Sequence, residues 1–353
     1  MSPNIRWLCL AWAPYSRRNQ VFAKSLGGTH HCVHYLRFQT PIYAPVKYAL
    51  QAIRSFYILS RERPRVVYVQ TPPVFCGMVV DFYCRWHRAR FVLDHHSAVI
   101  ARKWRWALPL QKFLARRAMT NIVTNSHWAE VVHDWGANAL VMGDPFLPLP
   151  EGKPYPLKTG FNIVFVGTFG LDEPIDAVVE AVRGLENVNL YITGYPHHRP
   201  KSFFQNLPPH VRCTGFLPNE QYVGLLQTAD AIMALTTRDH TLQLGGCEAV
   251  SSAKPLITSD WPFLKEFFFG GTVYVKNTPD GIQEGILFMM RNYQRLASEI
   301  FKFRDNGRKI WNEQFAELNN LIQRDMNSGK KNGRKGRKKL KEGLTKSILS
   351  QER

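Results

Sequence analysis

Short runs that are apolar almost throughout, separated by stretches of helical spacing, recur along most of this 353-residue chain. Runs at 5–13, 29–36, 66–70, 90–94, 120–124 and 139–142 lack the polar-apolar alternation of a half-solvated strand. A strand stays apolar on both faces when helices cover both sides of a parallel sheet. The intervening segments, 16–26, 45–60, 74–88, 102–118 and 126–135, have helical spacing. Ser16 and Ser126 stand where a cap would, and Gly27-Gly28 stands where the first helix would stop. The expectation is an α/β fold with a doubly wound parallel sheet.

The pattern then breaks. Pro145, Pro148, Pro150, Pro154 and Pro156 crowd one short stretch with neither periodicity, which reads as an extended linker. Beyond it the alternation restarts, with strands expected at 162–166, 188–193, 211–214, 231–235, 256–258 and 272–275. Helices are expected from Pro174 to Gly184, at 219–228, from the Gly245-Gly246 pair to a stop at Lys254-Pro255, after Pro262, and from 279 towards 323. Two Rossmann-like domains follow, 1–143 and 159–323, joined by a linker at 144–158. The last stretch, 324–353, holds eleven Lys or Arg against three acids and too little apolar surface for a core, so it reads as a disordered basic tail.

The formal charge of +19 points to an anionic partner: a phosphorylated substrate, an anionic membrane surface or nucleic acid. The basic tail suits a membrane or RNA equally well. Six cysteines without a CxxC pair read as reduced thiols in a cytoplasmic protein, and no zinc-ligand spacing is present. No apolar run approaches the ~20 residues a membrane-spanning helix needs. The segment 102–117 mixes Arg and Lys with Trp and Leu. Such a helix packs on its own sheet or lies on an anionic bilayer.

Candidate binding residues gather at the ends of the expected strands. In the second half these ends carry Gly167-Thr168, Gly194, Gly215 and the pair Gly245-Gly246. Glycines there let a ligand approach the backbone, and the next helix offers free N–H groups to a phosphate. The polar loop after 231–235 carries Arg238, His240, Thr241 and Gln243. Glu248 follows inside a helix of small side chains, where a carboxylate suits either a ribose diol or the helix's first turn. In the first half Arg17 and Arg18 open a helix after the first strand, a placement that suits a phosphate. Asp94-His95-His96-Ser97 closes the fourth strand. A histidine at such an end can orient or polarise a substrate.

The runs Val-Phe-Val-Gly-Thr, Gly-Phe-Leu-Pro and Glu-Ala-Val-Ser-Ser-Ala-Lys-Pro-Leu-Ile-Thr-Ser-Asp together resemble the donor half of a GT-B glycosyltransferase, nearest to family 4 retaining enzymes. The resemblance implies two Rossmann-like domains facing a central cleft, and retaining transfer of a sugar from a nucleotide-diphosphate donor without a metal or other cofactor. Glu248 would hold the ribose. Gly245 and Gly246 would cradle the diphosphate, with Gly167, Thr168, Gly194 and Arg238 around it. His240, Thr241 and Gln243 would surround the donor sugar, and His96 and His240 are the catalytic candidates. Arg17, Arg18 and Asp94 would serve the acceptor or a phosphate. The sequence departs from the family twice: His240 stands where the family has a first carboxylate, and its Arg/Lys diphosphate clamp is replaced by 169–174.

The implied role is a hexosyltransferase in surface polysaccharide or glycolipid synthesis, acting on a polysaccharide or lipid-linked acceptor, in the cytoplasm or at the inner face of the membrane. Two alternatives remain: a sugar-nucleotide epimerase of the same fold, and a non-catalytic GT-B-like protein with a membrane- or RNA-binding tail.

Overall fold

The computed structural model describes residues 5–36, 43–95, 102–144, 146–196 and 199–349; side chains are described in these segments except at 102–103 and beyond Met326. Contacts divide the chain into two units, 1–142 with 312–353, and 143–311.

The first unit is built on strands β1 (Trp7–Ala11), β2 (Thr29–Cys32), β3 (Val66–Thr71), β4 (Arg90–His95), β5 (Asn121–Val123) and β6 (Ala139–Val141). They pair in parallel in the order β2-β1-β3-β4-β5-β6. Helices α1 (Arg17–Leu26), α2 (Ala44–Glu62), α3 (Val74–His87), α4 (Leu108–Arg117) and α5 (Ser126–Asp134) connect them. β1 and β3 are buried at every position, as their apolar sequences require. Leu8, Leu10, Val67, Val69 and Leu93 anchor the core under these helices.

Caps explain several boundaries. Ser16 Oγ accepts from the Asn19 amide, and Gly27, at φ 63°, closes α1 in the left-handed conformation that glycine adopts without strain. For α5 the cap is Asn125, not Ser126, because the Asn125 side chain accepts from the Trp128 amide and Ser126 is already helical. The single helix expected at 102–118 is broken. Residues Arg102–Ala107 form a 3-10 turn and the α-helix starts at Leu108, with Pro109 in its first turn, where a missing N–H costs nothing.

The second unit carries β7 (Phe161–Phe165), β8 (Val188–Thr193), β9 (Val211–Gly215), β10 (Ala231–Ala234), β11 (Leu256–Ser259) and β12 (Thr272–Val275). Here the parallel order is β12-β11-β10-β7-β8-β9. Helices α6 (Ile175–Val182), α7 (Lys201–Gln205), α8 (Asn219–Thr228), α9 (Leu244–Ser251), α10 (Pro262–Phe267) and α11 (Pro279–Arg291) follow successive strands. Alternate residues feed the two sheet faces: Ile163, Phe165 and Met233 pack in one core cluster, Val164, Ile232 and Ala234 in the other. That two-sided burial is why these strands are apolar throughout.

The boundaries differ from the expected ones at two places. The proline-rich stretch belongs to the second unit, where Phe146 is buried against Phe267 and Phe303. The last helix, α12 (Tyr293–Leu349), runs through the segment expected to be a tail, and its residues from 312 onward group with the first unit. Leu318 and Ile322 are buried, Phe315 packs against Phe22, and Asp325 pairs with Arg90 at 3.3 Å. The side chains of 327–353 lie outside the described residues.

Candidate functional site

In an open parallel sheet, ligands bind beyond the carboxyl ends of the strands, where the chain reverses its direction of winding. In the second unit that point lies between β7 and β10. The residues assigned from sequence to the donor follow these strands or their neighbour β8. Gly167 and Thr168 follow β7, Gly194 follows β8, and 235–248 follows β10.

Close backbone approach accounts for the glycines. Gly194, at φ 92°, lies so near β7 that a Cβ would fall 2.4 Å from the Gly167 carbonyl oxygen. A Cβ on Gly245 would sit 2.7 Å from Val166, and one on Gly246 would sit 2.6 Å from the Phe268 ring. Both residues are buried. The pair therefore lets α9 settle on the sheet, a packing role that the expected diphosphate cradle does not require. No side chain caps α9, so its N-terminal turn still presents backbone amides.

The loop after β10 is held in a closed hydrogen-bond ring. The Thr236 amide donates to Ser259 Oγ at 2.9 Å, Ser259 donates to Asn277 Oδ1 at 2.8 Å, and Asn277 Nδ2 returns to the Thr236 carbonyl at 2.9 Å. Trp261 Nε1 donates to the same carbonyl at 2.8 Å. Asp172 ties this loop to the one after β7, accepting from Thr236 Oγ1 at 3.3 Å and, through its carbonyl, from the Thr237 amide at 2.7 Å. Arg238 reaches Asp172 at 3.5 Å with 55% of its side chain exposed. Gln243 Nε2 donates to the Leu235 carbonyl at 2.6 Å, and its Oε1 is buried with no hydrogen-bond donor among the described residues.

His240 has φ 53°, the left-handed region that costs a non-glycine residue strain. Its amide donates to Asp239 Oδ1 at 2.6 Å, and its ring lies 3.5 Å from Asp239 Oδ2. Thr241 Oγ1 donates to the Asp239 carbonyl. The imidazole thus keeps a carboxylate beside it, supplied by the preceding residue. Glu248 is buried in α9, and Tyr222 of α8 donates to its Oε2 at 2.5 Å. The phenol fixes that carboxylate's orientation.

Glu173 has a role the sequence did not disclose. Its carboxylate accepts from the Thr168 amide at 2.9 and 3.0 Å, from Thr168 Oγ1 at 3.1 Å and from the Gly170 amide at 3.0 Å. Convergent amides of this kind form an anion nest. Here the protein's own carboxylate occupies it, in the stretch where the family's basic clamp is missing. The position of Glu173 one residue before Pro174, which precedes the first helical residue Ile175, was the available signal. Tyr222 left none, because a partner on another helix has no sequence spacing.

In the first unit the phosphate candidates separate. Arg18 is buried and bound to Asp94 through two bonds, Nε to Oδ2 at 2.8 Å and Nη2 to Oδ1 at 2.9 Å; Nη2 also donates to the Met142 carbonyl at 3.0 Å. With 7% and 2% of their side chains exposed, these two residues brace β4 against α1. Arg17, on the helix's first turn, is part-exposed. His95 is buried at the end of β4, where Asn121 uses its amide nitrogen on two carbonyls and turns Oδ1 to His95 Nε2 at 2.8 Å. His96, the other catalytic candidate, lies outside the described residues.

Residues 160–304 match the family model described as glycosyl transferases group 1. No curated protein matches the sequence. Among solved structures, a sucrose-phosphate synthase from Thermosynechococcus elongatus superposes with a TM-score of 0.67 at 13% identity, covering 92% of this chain and 100% of that one. Anabaena HepE in complex with UDP and glucose gives 0.66 at 13% identity, over 89% and 99%. A putative UDP-N-acetylglucosamine 2-epimerase from Listeria monocytogenes gives 0.54 at 13% identity, over 84% and 91%. The chain has the GT-B fold of these structures, and within it residues 160–304 are similar to the group 1 glycosyl transferases.

Proposed function

We propose that this protein transfers a sugar from a nucleotide-diphosphate donor to an acceptor hydroxyl, with retention and without a metal or other cofactor. One observation carries the reading. Within the segment that matches the group 1 model, the carboxylate of Glu248, buried in α9 after β10 at the sheet's switch point, is oriented by Tyr222 of α8. Glu248 would accept the ribose hydroxyls, and the uncapped first turn of α9 would receive the diphosphate, with Arg238 turning from Asp172 towards it. Stabilising the departing diphosphate is the main electrostatic task, because negative charge develops there. His240, Thr241 and Gln243 would line the donor sugar, a hexose. The binding of UDP and glucose by HepE supports a uridine nucleotide as the first donor to test. The acceptor we place in surface polysaccharide or glycolipid synthesis, with the enzyme working peripherally at the inner face of the membrane.

The test is a thermal-shift panel of UDP-, GDP- and other nucleotide sugars, on the wild type and on Glu248→Gln. A stabilising donor whose effect weakens about ten-fold or more in Glu248→Gln supports the placement. An unchanged affinity in a folded variant removes it. Product analysis with the selected donor then separates transfer to an acceptor from epimerisation, which releases a free sugar nucleotide. It also separates both from binding without turnover.

A further inference from the structure

The first unit carries a surface that neither the core nor the donor site explains. On α2, Val46, Leu50, Ile53 and Tyr57 recur at helical spacing and point outward. Met78, Phe82 and Trp86 do the same on α3. Trp106 on the 3-10 turn and Phe113 on α4 extend the set, and each of these nine side chains is at least 40% exposed. Trp86, Ile53 and Trp106 are the most exposed, at 73%, 69% and 66%. Ring contacts join the elements into one belt. Phe56 of α2 lies 5.8 Å from Phe82, Phe82 lies 6.1 Å from Trp86, and Phe75 of α3 lies 6.0 Å from Trp106. Single exposed apolar residues are ordinary, but a contiguous belt marks a contact surface.

The charge on this face has one sign. α2, α3 and residues 102–117 together contain ten Lys or Arg and two acids. Both acids are engaged within the unit. Asp81 is buried under Arg117 and Arg85 at 2.6 and 3.0 Å, and Glu62 holds His31 and Thr29. The cations lie on the aromatic rings: Arg54 over Tyr57, and Arg85 and Arg117 over Phe113. Where α3 ends, a pocket of about 440 Å³ opens, lined by Arg65, Arg85, Arg88, Arg90 and Arg117 against Asp81 and Asp325. Nucleic acid would match the cations but leave Val46, Leu50, Ile53 and Met78 in water. A surface that is anionic above and hydrocarbon beneath matches both. Among the described residues no helix is long and apolar enough to cross a membrane, and an in-plane contact needs none.

We propose that the exposed face of α2, α3, the 3-10 turn and α4 docks on an anionic lipid bilayer. The aromatic belt enters the headgroup region and the arginine pocket at the end of α3 receives a lipid phosphate. This deepens the peripheral placement proposed above and stands apart from the transferase chemistry.

Co-sedimentation of the full chain with vesicles tests it, using phosphatidylcholine alone or mixed with phosphatidylglycerol. Binding is expected to the mixed vesicles and to fall steeply with salt. F82S/W86S should weaken it about ten-fold or more, and R65Q/R88Q about five-fold for each arginine. Nucleotide-sugar thermal shifts should stay as in the wild type, which keeps this result distinct from the donor assignment. Should F82S/W86S fold poorly, quenching of wild-type tryptophan fluorescence by brominated lipid gives the same answer. Three outcomes would overturn the proposal. The first is a wild type that ignores anionic vesicles. The second is binding that survives F82S/W86S yet vanishes when Arg334, Lys335, Arg337 and Lys338 are replaced by glutamine, which puts the contact in the tail. The third is a wild-type dimer that F82S/W86S separates, which assigns the face to a second copy.

Discussion

Replacing Asp94 by alanine should destabilise the first unit more than most single changes. Asp94 and Arg18 are both buried and share two hydrogen bonds of 2.8 and 2.9 Å, so the substitution takes the carboxylate away from a buried guanidinium that also donates to the Met142 carbonyl and lies over the Phe22 ring. Removing one partner of a buried pair costs about 3–5 kcal/mol, because the surviving charge loses both its partner and its access to water. For a unit of this size that corresponds to a Tm lower by roughly 6–20 °C. Urea unfolding followed by tryptophan fluorescence reads the free energy directly. R18M/D94A, which removes both charges, should recover most of the loss, giving a coupling energy of about 2 kcal/mol or more in the double-mutant cycle with the R18M and D94A single variants. The reasoning fails if Asp94→Ala costs less than about 1 kcal/mol, or if the two single costs simply add.

Three further outcomes are expected. Glu173→Gln should leave nucleotide-sugar affinity within about three-fold, because the diphosphate is placed on α9, while lowering stability by roughly 1–3 kcal/mol through the weakened hold on the Thr168 and Gly170 amides. Isothermal titration showing a large gain in affinity would instead move the diphosphate to the β7 loop. His240→Gly should hold or raise stability, by up to about 1 kcal/mol, since glycine tolerates φ 53°. Turnover should fall about ten-fold or more if the imidazole takes part in the reaction; unchanged turnover removes it from the site. Burial pushes the Cys84 thiol from its ordinary value near 9 up to about 12, and it raises Cys9 and Cys76 as well. Burial raises Cys213 too, but iodoacetamide at pH 8 should modify the part-exposed Cys32 and Cys213 first, because the other four thiols are buried away from the reagent. Because the unfolded chain ionises its thiols first, the stabilisation present below pH 9 should fade as pH rises towards 12. For Cys84 this loss is about 1 kcal/mol by pH 10, and Cys84→Ser should flatten that part of the profile.

Much of the fold was readable in the chain because each strand and helix answers to a local rule. β8 at 188–193 and α8 at 219–228 lie where the apolar run and the helical spacing put them. Ser16 caps α1 as its position suggests, because a cap bond spans only three residues. Asn125 displaced Ser126 at the next cap, since two adjacent residues with capping side chains differ only in backbone conformation. The broken helix at 102–117 follows from Pro109, which fits a helix's first turn but not its interior.

The donor site was legible as a set of strand ends, and its chemistry was legible mainly through resemblance. Gly245 and Gly246 read as a ligand cradle from sequence. Only the packing of α9 on Val166 and Phe268 showed what a side chain there would strike. Glu248 stood out as an acid among small residues, yet the phenol that holds it comes from α8, 26 residues earlier.

The sequence alone determined the number and kind of layers: parallel strands buried on both faces, helices between them, and a break at the prolines. Those are consequences of period and composition, which act over a few residues. The tertiary structure decided the strand order, which differs between the two sheets although the alternation in the two halves is alike. Strand order put β7 beside β10 and β3 between β1 and β4, and so chose the partners of each polar group. Arg18 meets Asp94 across 76 residues, and Asp172 meets Thr236 across 64, because hydrogen bonds and charges act over ångströms of space and keep no account of chain distance.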